Sequence, residues 1–188
     1  MPRPRAAIVV TGSELVRGER SDLNGPFYAR EALTLGLEPG PITIVGDGRE
    51  ELEEALRAGL AADVLLVSGG LGPTHDDRTV ELVAAATERR LVVDEGLEKE
   101  IEGVSRSVAE RLRRPYADFA VGVTKQATLP EGAISLGLAG TAPGMVIDAG
   151  ECVVVVLPGG ELAIDWRDDD RVLMTGDAVD VFEGRIEV

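Results

Sequence analysis

The sequence predicts an α/β fold, in which a mostly parallel sheet lies between two layers of helices and is followed by a C-terminal β-hairpin and an appended β segment. Short apolar runs without polar alternation recur along the chain, and amphipathic segments separate them. Such runs are typical of strands buried on both faces, and repeated strand–helix units imply a parallel, right-handed sheet of three layers. A chain of 188 residues fits one ordinary domain with a small addition.

The first strand and helix are predicted over residues 6–11 and 27–35. The strand is a compact apolar run, and capping residues with an early proline mark the start of the helix. Pro39 and Pro41 come next, and proline cannot donate to a strand ladder. We therefore expect the second strand to cover only residues 42–45.

A second helix is predicted over residues 50–62. Leu52, Leu56 and Leu60 recur there at every fourth position, with glutamates on the other faces. The apolar run at residues 64–67 then predicts the third, fully buried strand.

The rest of the α/β part mixes shorter elements, and residues 117–123 fit no single pattern. We expect a helix over 79–88, a short strand over 91–93, an exposed helix over 95–113, and a hairpin of strands 142–148 and 152–157.

The last residues have a different pattern, which predicts a β-rich tail over residues 161–188. Expected strands cover 162–166, 172–175 and 179–186, with a turn at 168–170. Trp166 and Phe182 alternate within these strands and are expected to be core residues.

Composition excludes several classes of function. A formal net charge of −15 and a pI near 4.5 argue against binding nucleic acid or anionic membranes. No apolar run is long enough to span a bilayer or to serve as a signal peptide. Cys152 is the only cysteine, so it cannot form an intrachain disulfide. We expect Cys152 to be a small buried residue and the protein to be cytoplasmic.

Residues 68–79, SGGLGPTHDDRT, form what we call the signature loop. It leads from a buried strand into three glycines and two adjacent carboxylates. Open α/β sheets bind ligands at the carboxyl ends of their strands, and helix N-termini there offer free N–H groups to anions. Asp47 follows the second strand, so we expect it near Asp77 at the same sheet edge. The loop therefore predicts a small-molecule site.

Carboxylates on neighbouring loops can share a divalent ion. Mg²⁺ prefers oxygen ligands and is often held by one or two carboxylates together with substrate phosphates, where it can also activate a water. We expect Asp77 to be the principal metal ligand or base, Asp47 the second ligand, and Asp76 a supporting ligand. Helix capping by Asp76, Asp77 and Thr79, and a simple turn at Asp47, are the alternatives.

The signature loop resembles that of the molybdopterin-binding (MoaB/Mog-like) domain family, in the version found at the N-terminus of CinA, the competence/damage-inducible protein. Further family segments follow in the expected order: GSEL at 12–15, DLNGP at 22–26, VGD at 45–47, KQA at 125–127, GTAPG at 140–144 and LPG at 157–159. The resemblance implies one domain of this type over residues 5–160. The tail after it resembles the end of diaminopimelate epimerase, but without that enzyme's two cysteines, so we expect no epimerase chemistry.

Three alternative functions follow, of which the resemblance implies the first two and the unrelated tail suggests the third. The first is metal-dependent hydrolysis of a nucleotide phosphoanhydride such as ADP-ribose. The second is binding or adenylylation of molybdopterin in molybdenum cofactor biosynthesis. The third is an inactive binding or oligomerisation module. In each case related domains lead us to expect a homo-oligomer.

A nucleotide or pterin in this site would contact polar and glycine residues of the signature loop and the first helix. The residues expected to contact it are Asn24, Ser68, Gly69, Gly70, Gly72, Pro73, Thr74 and Thr79. Asn24 would place its amide beside the ligand by capping the first helix, although capping alone explains it equally well. His75 is not favoured as a base, because the neighbouring acids would keep it protonated.

Overall fold

The computed structural model describes residues 2–159, 162–166, 171–176 and 182–185. Strands β1 to β8 are Arg5–Thr11, Glu38–Val45, Val64–Ser68, Leu91–Val93, Thr128–Pro130, Ile134–Ala139, Ala142–Asp148 and Val153–Leu157. Helices α1 to α6 are Ser13–Val16, Asn24–Thr34, Arg49–Gly59, Thr79–Ala86, Glu95–Leu112 and Ala117–Gln126. Strands β9 to β11 are Leu162–Trp166, Arg171–Gly176 and Phe182–Arg185.

A six-stranded sheet with the order β2-β1-β3-β8-β7-β6 is the centre of the fold. Strands β2, β1, β3 and β8 are parallel, whereas β7 and β6 form an antiparallel extension. The predicted mostly parallel sheet and the hairpin of β7 and β8 are confirmed. The three strands β2, β1 and β3 end side by side, so the loops that follow them meet at one edge of the sheet.

Helices cover both faces of this sheet, as the period-two alternation of β1 shows. Val9 packs in a large apolar cluster with Leu52 of α3 and Leu82 of α4. Ile8 and Val10 point to the opposite face and pack with Tyr28 of α2. Full burial of a leucine such as Leu52, at 1% exposure, contributes about 1.5–3 kcal/mol. The three-layer arrangement is thereby confirmed.

Strand β2 is longer than predicted. It begins at Glu38 and includes both Pro39 and Pro41. The reason is its position at the edge of the sheet, where it pairs only with β1 among the described strands. Edge strands tolerate proline on the side that has no partner. The pairing with β1 is irregular between Ala6 and Ile8, opposite these prolines.

Four elements were not predicted from the sequence, and the first of them is the short helix α1 after β1. Residues 117–123, which fit no single pattern, begin helix α6, and the neighbouring strand β5 pairs with β4 in a separate two-stranded sheet. Strand β6 extends the main sheet beyond β7. No helix in the described ranges has the length and apolar character needed to cross a bilayer.

Three strands of the tail form an antiparallel sheet with the order β11-β10-β9. These strands lie at the positions predicted for the tail. The predicted turn at residues 168–170 and the ends of the third predicted strand lie outside the described residues, as do the side chains of Trp166 and Phe182.

Candidate functional site

A cavity of about 850 Å³ opens where β1, β2 and β3 end. We call it the edge cavity. Its walls come from the signature loop, the turns after β1 and β2, and the start of α2. The predicted site residues among its lining are Asn24, Asp47, Ser68, Gly69, Gly70, Gly72, Asp76 and Asp77. The structure thus brings together acids that are 30 residues apart in sequence, Asp47 and Asp77, because parallel neighbouring strands end at the same edge.

The lining of the edge cavity is strongly acidic. Its carboxylates are those of Glu14, Asp22, Asp47, Asp76 and Asp77, and within the described part of the chain its one cationic side chain is that of Arg20. Such a surface repels anions, and partial burial strengthens the effect. A bound cation would offset this repulsion for a phosphorylated ligand.

Hydrogen bonds from the turn after β1 fix the carboxylate of Asp47. Ser13 donates to Oδ2 from its hydroxyl at 2.5 Å and from its backbone N–H at 3.2 Å. The hydroxyl of Thr11 donates to Oδ1 at 3.3 Å. Asp47 is half-buried, and these contacts hold it beside the first residue of α1. Ser13 was not predicted, although it lies in the family segment GSEL.

Asp77 is held within its own loop. Its Oδ2 accepts hydrogen bonds from the backbone N–H of Thr74 at 3.0 Å and from the Thr74 hydroxyl at 2.5 Å. The Asp77 carboxylate therefore stabilises the turn over residues 74–77 and lines the edge cavity at the same time. It does not cap α4, whose N-cap residue is Arg78 and has no side-chain cap.

The expected capping role of Asn24 is wrong in detail. The carboxylate of Asp22 caps α2, accepting from the backbone N–H groups of Asn24 at 2.9 Å and Gly25 at 3.0 Å. The side-chain amide of Asn24 is thereby left to donate to the hydroxyl of Ser68 at 3.0 Å. Ser68 is fully buried and also contacts the hydroxyl of Tyr28 at 3.5 Å. Burial raises the pKa of that Tyr28 phenol.

The glycines of the signature loop are explained by protein contacts. Gly69 and Gly70 have φ values of 101° and 66°, in the left-handed region that favours glycine. A Cβ at Gly70 would collide with the hydroxyl of Thr79. Gly72 differs from the other two, because its φ is not positive. It is needed because a Cβ there would lie 2.5 Å from Oδ2 of Asp77.

Three predicted ligand residues are not among those that line the edge cavity. The hydroxyl of Thr79 is fully buried and donates to the carbonyl of Gly69 at 2.8 Å. Thr74 binds Asp77, and Pro73 packs against Gly122 of α6. Thr79, Thr74 and Pro73 thus stabilise the signature loop through contacts with the protein. His75 lies at the surface, with a side chain that is 92% exposed and 2.8 Å from the carboxylate of Asp76.

The predicted metal ligands do not form a single cluster. Across the described ranges, no group of three or more histidine, cysteine, aspartate or glutamate side chains is arranged to hold a metal ion. Asp47 and Asp77 still supply two carboxylates to one cavity. Two carboxylates are too few for an all-protein metal site; a Mg²⁺ ion here would need water and ligand phosphates to complete its coordination.

Residues 7–165 match the model of a known protein family, described as a probable molybdopterin binding domain. The chain belongs to this family. The chain is also similar to a CinA-like protein of Mycolicibacterium vanbaalenii, with 46% identity over 158 residues. That alignment covers 82% of this chain and 37% of the relative. The chain thus spans about two fifths of the length of the curated relatives that it matches.

Solved structures show the same fold. CinA from Thermoplasma acidophilum, whose function is described as unknown, superposes with a TM-score of 0.72 at 28% identity, over 85% of this chain and 90% of that chain. The molybdopterin biosynthesis Mog protein from Mycobacterium ulcerans superposes with a TM-score of 0.53 at 22% identity, over 84% of this chain and 85% of that chain. The latter likeness concerns the fold alone. The predicted MoaB/Mog-like fold and the CinA-like resemblance are confirmed.

Proposed function

We propose that the edge cavity binds a phosphorylated pterin of the molybdopterin type, together with a divalent cation such as Mg²⁺. The observation that carries this proposal is the position of the family's signature loop, which forms a wall of an acidic cavity. A cavity of about 850 Å³ lies within the usual range for small-molecule sites. The acidic lining makes the cation a requirement for an anionic ligand.

The side chains have distinct parts in this proposal. Asp47 and Asp77 hold the cation, with Asp76 available at the mouth of the cavity, and the cation offsets the charge of the ligand's phosphate. The half-buried Asn24 and the buried Ser68 provide polar groups that orient the ligand. Gly69 and Gly70 have no side chains, so at these two positions the backbone of the signature loop itself lines the edge cavity and can approach the ligand closely.

A fluorescence titration tests the binding proposal. Molybdopterin is added to the pure protein in Mg²⁺ and, in parallel, in excess chelator. Saturable quenching or enhancement in Mg²⁺, and its loss in chelator, is expected. Unchanged fluorescence in both solutions would contradict the proposal. Adding ATP to the Mg²⁺ arm tests adenylylation of the bound pterin, detected as a new product by mass spectrometry.

A second candidate function is metal-dependent hydrolysis of a nucleotide phosphoanhydride such as ADP-ribose. The observation that favours it is the presence of Asp47 and Asp77 on two loops of one cavity. One carboxylate can hold the metal ion while the other accepts a proton from the attacking water, and the ion offsets charge on the phosphoryl group. Incubation with ADP-ribose and a panel of divalent ions tests this function, and absence of AMP with every ion would rule it out.

We also propose that the protein works in the cytoplasm as a homo-oligomer. The lone cysteine, Cys152, is buried and unpaired, which suits a reducing compartment. Large apolar side chains are exposed on α2 and on the edge strand β2, among them Leu33, Ile42 and Ile44, and these are the side chains that we propose form the interface. A protein that binds neither molybdopterin nor ADP-ribose and that associates through this surface would be the inactive module of the third alternative.

A further inference from the structure

The ammonium group of Lys125 lies among backbone carbonyls of the signature loop. Its Nζ donates to the carbonyl oxygen of Asp77 at 2.7 Å and to that of Gly72 at 3.2 Å. The carbonyl oxygen of Thr74 is a third acceptor. An ammonium group has three N–H donors, so these contacts use all of them. Lys125 belongs to α6, which is some fifty residues away in sequence.

This arrangement differs from that of an ordinary surface lysine. The Lys125 side chain is half-buried, and burial lowers its pKa, an effect that nearby carboxylates, first of all that of Asp77, oppose. Residues 71–78 contain no helix or strand. Most of their carbonyls are therefore outside a helix or strand ladder, and the lysine donates to three of them, those of Gly72, Thr74 and Asp77. Hydrogen bonds to a charged donor are the stronger kind.

Two neighbours on α6 hold the same loop. The side-chain amide of Gln126 is buried and donates to the carbonyl of Leu71 at 3.0 Å. Gly122 lets the helix approach Pro73 closely, since a Cβ there would lie 2.5 Å from the Pro73 Cβ. One side of the signature loop thus rests on α6, while the carboxylate of Asp77 lines the edge cavity.

We propose that Lys125 is a positioning residue, which holds the signature loop through three backbone carbonyls and thereby places the carboxylate of Asp77 in the edge cavity. The consequence for ligand affinity rests on the proposed function. The effect on the loop itself does not, because it concerns the protein without ligand.

The loop effect is tested by amide hydrogen exchange on the ligand-free protein. The variant Lys125→Met keeps an apolar stem of similar length and removes the charge and the donors. Lys99→Met is the matched control, because Lys99 is the other lysine of the chain and is exposed on α5. We expect exchange at residues 72–79 to rise about tenfold or more in Lys125→Met and to stay unchanged in Lys99→Met. Equal exchange in both variants would overturn the proposal.

Added amines separate a specific role from general loosening. Methylammonium chloride can supply N–H donors to the three carbonyls, whereas tetramethylammonium chloride supplies charge without donors. We expect methylammonium to restore slow exchange to Lys125→Met, and tetramethylammonium at equal concentration to have no effect. The same effect of both salts would show that ionic strength is responsible and would overturn the proposal.

Chemical labelling of the wild-type protein gives an answer that needs no variant. The Lys125 amine must leave its three carbonyl acceptors and become accessible before it can attack a reagent, so Lys125 should be acetylated about tenfold more slowly than the exposed Lys99, as followed by mass spectrometry. Equal rates would contradict the proposed contacts even if Lys125→Met fails to fold. Molybdopterin affinity in Mg²⁺ is measured last: a loss in Lys125→Met that methylammonium reverses links the loop to the ligand. If the wild type binds no molybdopterin, the proposed function fails, and hydrogen exchange still decides the role of Lys125.

Discussion

The side-chain amide of Asn24 donates a hydrogen bond to the hydroxyl of Ser68 at 3.0 Å. This contact joins the first turn of α2 to the last residue of β3, inside the lining of the edge cavity. It is possible because Asp22, and not Asn24, caps the helix. The pair therefore contributes both to the packing of α2 on the sheet and to the polar surface that a ligand meets.

Replacing Asn24 with alanine should lower both the stability of the protein and its affinity for the ligand. Ser68 is fully buried and would lose its 3.0 Å partner, which should cost about 1 kcal/mol of unfolding free energy. Urea denaturation measures this change. Molybdopterin affinity in Mg²⁺ should fall about tenfold at the same time. Thr34→Ala, at the exposed end of the same helix, is the control and should change neither quantity. If Asn24→Ala has the same stability and affinity as Thr34→Ala, the Asn24–Ser68 hydrogen bond has neither role.

Gly70→Ala should be far more destabilising than alanine at glycines with open space around them. At Gly70 the positive φ and the collision with the buried hydroxyl of Thr79 act together, and we expect a loss of about 2–4 kcal/mol. Gly140 has a similar φ of 63° but open space around it, so Gly140→Ala should cost about 1–2 kcal/mol. Gly103 lies in α5 with nothing near it, and alanine there should stabilise by about 0.5–1 kcal/mol. Chemical denaturation of the three variants gives the order, and equal costs at Gly70 and Gly140 would exclude the contact with Thr79.

The phenol of Tyr28 should titrate above its ordinary pKa. Desolvation raises this pKa because burial disfavours the charged form. The folded protein then holds the proton more tightly than the unfolded chain. Its contribution to stability is full below about pH 10 and is lost as pH rises through the folded-state pKa. The chain has two tyrosines, so the ultraviolet titration of Tyr116→Phe reports Tyr28 alone. Titration at the value of free tyrosine, in protein that is still folded, would contradict this prediction.

Removing the tail should leave the α/β domain intact. Strands β9 to β11 pair with one another and with no strand of the main sheet. A protein truncated after residue 160 should therefore unfold cooperatively and keep the oligomeric state of the full chain. Mass photometry compares the two proteins, and circular dichroism follows their thermal unfolding. A change of oligomeric state on truncation would place the self-association surface in the tail and contradict the proposed role of α2 and β2.

Local sequence patterns predicted those parts of the fold that depend on local physics. The apolar runs of β1 and β3 and the four-residue spacing of Leu52 and Leu56 depend only on burial and helical period. The prolines of β2 misled the prediction, because edge position in the sheet is decided by strands far away in sequence. Strand order is a tertiary property, and no local pattern reports it.

The location of the candidate site could be predicted from the sequence, but the contacts that support it could not. The position of Asp47 and Asp77 at one edge followed from parallel strands that end together. The hydrogen bonds of Lys125 to the signature loop could not be predicted, because they join α6 to a loop about fifty residues away in sequence. Its residues were visible as the family segment KQA, but a segment match does not say which atoms a side chain meets. The capping role of Asp22 was hidden for a different reason: Asp22 and Asn24 are both good capping residues, and only the geometry chooses between them.

A calorimetric titration of molybdopterin into wild type, Asp77→Asn and Asp118→Asn tests the central claim most directly. Each protein is measured in Mg²⁺ and in excess chelator. Asp118 is exposed on α6 and pairs with Arg114, so Asp118→Asn serves as the charge-matched control. We predict that the wild type and Asp118→Asn bind in Mg²⁺, that chelator abolishes this binding, and that Asp77→Asn binds about 100-fold more weakly while remaining folded. Equal affinity of Asp77→Asn and wild type, or binding that is indifferent to Mg²⁺, would contradict the claim that these carboxylates hold a cation for a phosphorylated ligand.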